Sequence, residues 1–151
     1  MPNGLRHAFA CGVVAGASAS VLFFACGWQA ALACSIGALA GIVLTPDLDL
    51  VSKNYKMARF WGVVVERLWF LAWTPYRVCI PHRSIWSHGP VISTLVRLLY
   101  LGVVPLGVWT WLGLPLPPVQ AWMLWGLLGL VASDSCHWFL DVMDSKLGGR
   151  L

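Results

Sequence analysis

The chain has 151 residues, a length that one domain accommodates. Hydrophobic residues make up 59% of it and charged residues only 11%, and this composition, with ten tryptophans, excludes an ordinary soluble protein. The net charge of +4 is typical of a basic surface beside a membrane, so the excess of lysine and arginine indicates no nucleic-acid partner.

Four apolar stretches reach or approach the length of about 20 residues that a helix needs to cross a bilayer. In chain order they are residues 8–27, 29–46, 90–112 and 119–141. Arg6 before the first stretch resembles the start of a secretory signal, but no clean small-x-small cleavage site closes the apolar run before Trp28, so we expect this stretch to be retained. Residues 1–151 are therefore predicted to form a single all-α integral membrane domain with four transmembrane helices.

A fifth helix is predicted over residues 57–73, lying in the membrane interface instead of spanning it. Glu66 and Arg67 would fall at mid-span, where each charge costs about 2.5–3.5 kcal/mol, and this cost argues against a crossing. The apolar residues of this segment recur on one helical face, at Trp61, Val64, Val65, Leu68, Trp69 and Ala72.

The basic residues predict the orientation. Nine of the ten lie before the first span, between the second and third spans, or after the fourth. These three segments share one side of a four-span topology, and the positive-inside rule makes that side cytoplasmic. The prediction is a bacterial inner-membrane protein with both termini in the cytoplasm and with membrane lipid as its surroundings.

Small residues within the spans indicate close helix packing. Gly12 with Gly16, and Gly37 with Gly41, have the small-xxx-small spacing that lets membrane helices approach one another. We therefore expect the first two spans to pack tightly together.

The ionisable residues converge on the cytoplasmic face of this topology. All four histidines, and every acidic residue except Glu66, fall at the cytoplasmic ends of the spans or in the segment that joins the second span to the third. Ionisable residues within a span are costly and by default functional. The predicted pool of metal ligands is His7, Asp47, Asp49, His82, His88, His137 and Asp141.

Spacing and donor type favour a metal over other uses of these residues. Asp134, His137 and Asp141 stand at i, i+3 and i+7 and share one helical face. Imidazole combined with carboxylate suits zinc, and also manganese or iron, so we predict one or two divalent ions, with zinc first.

Each segment alone has a simpler interpretation. His7 could be an interfacial cap, residues 45–49 a helix end with solvated acids, and residues 82–88 a polar loop in which Ser87 or His88 caps the third span.

Several motifs together resemble a known family. They are the early His7, residues 45–50 (TPDLDL), residues 73–76 (WTPY), residues 82–90 (HRSIWSHGP), Arg97 with Tyr100, and His137 with Asp141 as H-x-x-x-D. The set is similar to the YdjM-like membrane-bound predicted metal-dependent hydrolases, and within them to an uncharacterised metal-binding branch. The resemblance implies a helical inner-membrane protein with a bound metal and a presumed hydrolase activity.

The predicted activity is metal-dependent hydrolysis at the cytoplasmic interface, on a phosphoester or a lipid-linked substrate. Asp134 would orient His137 or ligate the metal directly, and Arg83 and Arg97 would hold a phosphate. Arg97 lies two turns into the third span, so we expect it to face the interior of the bundle, with snorkelling to the headgroups as the alternative. A non-catalytic structural or scaffold subunit of a membrane complex remains the other interpretation, and a homo-oligomer is left open.

Overall fold

The computed structural model describes residues 3–49, 62–82, 84–116 and 118–146, with residues 3–7 and 49 described as backbone only. Within these ranges every regular element is helical and no strand occurs, which confirms the predicted all-α class. The elements are α1 (Asn3–Cys26), α2 (Trp28–Ala40), a short 3-10 turn (Pro46–Asp49), α3 (Val63–Cys79), α4 (Ile85–His88), α5 (Ile92–Trp111) and α6 (Ala121–Lys146).

Helix α2 packs extensively against both α1 and α6. Glycines turn the α2–α6 contact into a contact between backbones. A Cβ atom on Gly37 would lie 1.9 Å from the carbonyl oxygen of Gly126, and one on Gly129 would lie 1.9 Å from the carbonyl oxygen of Cys34. Any side chain at Gly37 or Gly129 would force the two helices apart, so these glycines fix the position of α6 relative to α2.

Helices α1 and α2 pack together as predicted, but the four glycines do not form that contact. Gly37 and Gly41 face α6, since a Cβ on Gly41 would lie 2.3 Å from Ser133 Oγ. Gly12 and Gly16 have no described atom within 4 Å of a Cβ position. Helices α1 and α2 do pack together, but small-residue spacing by itself does not determine which neighbouring helix the small face meets.

Helix α3 packs its C-terminal half into an aromatic cluster. The rings of Trp73 and Tyr76 are buried together with Leu48, with ring centroids 5.3 Å apart. Tyr100 of α5 completes the cluster, with its ring centroid 5.5 Å from that of Trp73. The other face of α3 is apolar and exposed, at Val64, Leu68 and Leu71.

The structure corrects the predicted bounds of this amphipathic helix. Residues 57–61 lie outside the described residues, and α3 extends to Cys79, well beyond residue 73. The helix continues through Pro75, beyond the predicted end at residue 73. Burial of Trp73 and Tyr76 on either side of the proline stabilises the helix there and outweighs the loss of one backbone hydrogen bond.

Two of the described helices are long and apolar enough to cross a membrane, Ala8–Cys26 within α1 and Ile92–Trp111 as α5. A core helix of a soluble protein or a leader segment can pass the same test of length and composition. However, only 11% and 17% of these two windows is buried, which is low for core helices. The two helices agree with the first and third predicted spans and point to a membrane association.

The structure does not support four spans. Helix α2 has 13 residues, which is short of the roughly 20 needed for a crossing, because the chain turns after Ala40. Helix α6 has 26 residues, but its C-terminal half carries Asp134, His137 and Asp141, so only its first part is continuously apolar.

Candidate metal centre

Asp47 lies just beyond α2, in a segment that is held at several points. Turns continue α2 as far as Leu44, and the hydroxyl of Thr45 accepts a hydrogen bond from the backbone N–H of Asp47 at 3.4 Å. Pro46 restricts its own backbone, and Leu48 is buried in the aromatic cluster. The carboxylate of Asp47 is consequently buried, with 5% of the residue exposed.

His88 ends α4, the single-turn helix inside HRSIWSH. Ser84 caps this helix, because its side chain accepts a hydrogen bond from the backbone N–H of Ser87 at 3.3 Å. Ser87 and His88 are both buried, and Val91 precedes α5 without any side-chain capping bond. The interpretation in which Ser87 or His88 caps the third span is therefore wrong, and the polar side chains point into the bundle.

His137 and Asp141 come from α6, one turn apart on the same face. Only 4% of His137 is exposed, and its Nε2 atom lies 3.4 Å from Oδ2 of Asp141. The side chain of Asp141 is 31% exposed, so it lies on the solvent side of the centre.

Asp47, His88 and His137 form the cluster. One ligand atom from each of the three lies within 4.8 Å of the other two, which makes them a candidate metal-binding group among the described residues. Nε2 of His88 is 3.4 Å from Oδ1 of Asp47, and Nε2 of His137 is 3.4 Å from Oδ2 of Asp47. Such distances are long for N–H···O hydrogen bonds, but they match the roughly 3.4 Å between ligand atoms held tetrahedrally at about 2.0–2.1 Å from zinc.

Nδ1 of His88 contacts the hydroxyl of Ser87, and Nε2 faces the cluster. The hydroxyl determines which of these two nitrogens carries the hydrogen. Ser87 Oγ donates its single hydrogen to the carbonyl oxygen of Pro81 at 3.0 Å. It therefore accepts from Nδ1–H of His88 at 2.9 Å. Nε2 is then the nitrogen directed at the Asp47 carboxylate, and either a proton or a metal ion can lie between the two atoms. The donor set thus fits a divalent metal ion.

Electrostatics at His137 favour a cation in the same place. Burial disfavours a charged imidazole, but the carboxylates of Asp141 and Asp47 outweigh burial and raise the pKa of His137 above its ordinary value of 6.5. A field that retains a proton on this ring also attracts a metal ion, and the two cations compete for the same nitrogen.

Arg97 and Asp134 pair beneath the cluster. Only 2% of Arg97 is exposed, which confirms that it faces the interior and does not snorkel. Its guanidinium donates to the Asp134 carboxylate, to the carbonyl oxygen of Leu44 and, at 3.2 Å, to the carbonyl oxygen of Ser93. The hydroxyl of Thr94 donates to the same oxygen of Asp134.

The other predicted ligands have different positions. His82 is exposed, and its ring centroid is 4.9 Å from that of His88, so it borders the cluster. His7 lies in α1 and Asp49 in the 3-10 turn, but their side chains are outside the described part of the structure, as is all of Arg83. The catalytic roles assigned to Asp134, Arg83 and Arg97 stay predictions.

Sequence reasoning missed the polar neighbours of the ligands. Ser87 and Thr94 both bond directly to predicted site residues. Serine and threonine are common at helix ends, so the sequence alone does not distinguish these two from ordinary capping residues. The only available signal for Ser87 was its position next to a histidine in a polar stretch of an otherwise apolar chain.

The fold and the cluster define an all-helical metal-binding protein. A family model described as "Uncharacterized metal-binding protein (DUF2227)" matches residues 2–120, and the chain belongs to this family. No curated protein and no solved structure is similar to the chain. The match confirms the coarser prediction, an uncharacterised metal-binding family, but nothing in it connects the chain to YdjM-like proteins or to hydrolase motifs.

Proposed function

We propose that the protein is a membrane-embedded, metal-dependent hydrolase with zinc at Asp47, His88 and His137. The observation that carries the proposal is the convergence of these three buried side chains from separate elements, each aimed at one point. Two imidazoles and one carboxylate are a ligand set found in catalytic zinc sites, where the fourth position stays open.

The open side of the centre is the side of Asp141 and His82. Both side chains reach solvent, whereas the three ligands are buried. A zinc ion held by Asp47, His88 and His137 would supply a water nucleophile activated near neutral pH. Asp141 lies beside His137 and is placed to accept the proton of that water. Arg83, next to His82 in sequence, would hold a phosphate group of the substrate.

A location at the membrane interface follows from the apolar surface of the bundle. We place the exposed apolar faces of α1 and α5 against the hydrocarbon of the bilayer, with the metal centre on its cytoplasmic side. Exposed Val64, Leu68 and Leu71 of α3 would lie in the interface beside the centre. A substrate with a lipid anchor, such as a lipid-linked phosphoester, would reach the centre from that surface.

One contact supports the alternative of a structural metal in a non-catalytic subunit. Asp141 is close enough to His137 to serve as a fourth ligand, and four protein ligands close a zinc site to water. The two functions differ in what Asp141 does, so substitution of this residue distinguishes them.

The test is elemental analysis of the detergent-purified protein together with a phosphoester hydrolysis assay. Four samples are compared: wild type, His88→Ala, Asp141→Ala, and Asp144→Ala as the matched control one turn further along α6. For the hydrolase we expect stoichiometric zinc in wild type, loss in His88→Ala, and retained zinc with lost activity in Asp141→Ala.

Loss of zinc in Asp141→Ala, with no hydrolysis by wild type, would instead identify a structural site. Wild-type protein that is folded and free of zinc, manganese and iron would contradict both functions.

A further inference from the structure

The three ligands come from three separate elements. Asp47 follows α2, His88 precedes α5, and His137 lies within α6. The α5–α6 contact is small compared with the α2–α6 contact. Helix α4 contacts the 3-10 turn directly, so His88 and Asp47 are joined there, whereas few contacts hold α5 to α6.

The buried guanidinium of Arg97 joins all three elements. From α5 it donates to the carbonyl oxygen of Leu44, where α2 and its turns end, and to the carboxylate of Asp134 in α6. The third donor bonds to the carbonyl oxygen of Ser93 within α5. Three of its five N–H groups are bonded in this way, and because only 2% of the residue is exposed, a substrate phosphate has no access to the guanidinium.

The bond to Leu44 acts close to the ligand Asp47. Leu44 is the last residue of the turns that continue α2 beyond Ala40, and Arg97 holds its carbonyl oxygen. Two residues, Thr45 and Pro46, separate it from Asp47, and the Thr45 hydroxyl and the proline ring restrict both. Leu48, on the other side of Asp47, is fixed by the aromatic cluster. Asp47 is thus held between two anchors, one of which is Arg97.

We propose that Arg97 is a positioning residue for the metal centre, held by Asp134 and Thr94, and that it does not bind substrate. This inference rests on the proposed metal site. Asp134 takes part in the same positioning. It lies one turn before His137 on α6, and its ion pair with Arg97 aligns that turn with the end of α2. Thr94 donates to the same carboxylate oxygen and fixes its orientation.

The test compares Arg97→Lys with Arg77→Lys. Arg77 is the matched control, because its guanidinium, like that of Arg97, donates to a backbone carbonyl, that of Phe70. Its second bond is to the hydroxyl of Thr74. Lysine keeps the charge but cannot reach three acceptors in a planar fork. Cobalt(II) serves as the probe, since its visible spectrum reports the coordination geometry. We expect Arg97→Lys to lower cobalt affinity about 10–100-fold and to change the spectrum per bound ion, with Arg77→Lys unchanged in both.

Thr94→Val provides a second variant that leaves the ion pair in place, in case Arg97→Lys does not fold. It should show the same spectral change with a smaller loss of affinity. A normal spectrum and affinity in Arg97→Lys or in Thr94→Val, with cobalt lost in His137→Ala, would overturn the positioning role and leave the metal site standing. Weaker affinity with an unchanged spectrum per bound ion would indicate general destabilisation and would also overturn it. Wild type that binds no cobalt would remove the metal site and this inference together.

Discussion

At the scale of single residues, the hydroxyl of Ser87 orients a proposed metal ligand, His88, although serine is not itself a candidate ligand. It bonds to the Pro81 carbonyl and to His88 at once, so it fixes both the ring orientation and the tautomer of a ligand. Groups that orient metal-bound imidazoles in this way typically account for a factor of about 10–100 in metal affinity.

Substitution of Ser87 by alanine should therefore weaken zinc binding by roughly 10-fold while the protein remains folded. Without the hydroxyl, His88 is no longer held as the Nδ1–H tautomer and its ring can rotate. Competition titration with a chelator measures the affinity. Ser35→Ala is the matched control, since Ser35 is also a partly buried serine bonded to backbone carbonyls, but between α1 and α2. Equal affinities in the two variants would refute this role of Ser87.

The raised pKa of His137 predicts how pH acts on the metal-free protein. A histidine whose pKa is raised by folding stabilises the fold at low pH, and this contribution is lost as pH rises through the folded-state pKa. We expect the Tm of the metal-free protein to fall as pH rises above about 6.5, and the increase in Tm on adding zinc to grow over the same range. Asp141→Asn removes one of the two carboxylates responsible, so the fall should be smaller. A metal-free Tm that does not change with pH would contradict the assignment.

At the scale of elements, the contact between α2 and α6 sets the distance between two ligands. Asp47 follows α2 and His137 lies on α6, and the backbones of these helices meet at Gly37 and Gly129. Any side chain at this contact moves His137 away from Asp47, so packing and metal binding depend on the same glycines.

Gly129→Ala should consequently destabilise the protein by about 1–3 kcal/mol and weaken zinc binding as well, because a methyl group there meets the backbone of Cys34. Gly102→Ala is the control: this glycine of α5 faces open space, and alanine in a helix should stabilise by about 0.5–1 kcal/mol. Thermal unfolding in detergent and zinc titration measure the two effects. If Gly129→Ala and Gly102→Ala behave alike, the close contact is not present in solution.

Chemistry was easier to predict from this sequence than packing. His88, His137 and Asp47 stand out because ionisable residues are rare in an apolar chain and costly to bury, so their convergence could be inferred from position alone. The partner of Gly37 could not, since its spacing indicates a close contact but not with which helix. The length of α2 was also overestimated, because residues 41–46 are apolar but form turns.

At the scale of the whole molecule, the exposed apolar surface of α1 and α5 points to a membrane association that a single substitution tests. Val103 is 63% exposed near the middle of α5. In lipid, lysine at this depth costs about 2.5–3.5 kcal/mol, whereas in water it would be neutral. Val103→Lys should therefore reduce recovery of the protein from the membrane fraction. Val119→Lys, at an equally exposed position outside the helices, should not. Full recovery of both variants would argue against α5 as a span.

The separation of the ligands along the chain also bears on biosynthesis. Asp47 and His88 leave the ribosome well before His137, because α6 is the last of the described helices to be made. The nascent chain then carries an incomplete set of donors. If the centre binds zinc as proposed, capture waits until α6 has docked on α2, and occupancy then reports that the bundle is complete. Ribosome-bound chains arrested before residue 121 should retain no zinc.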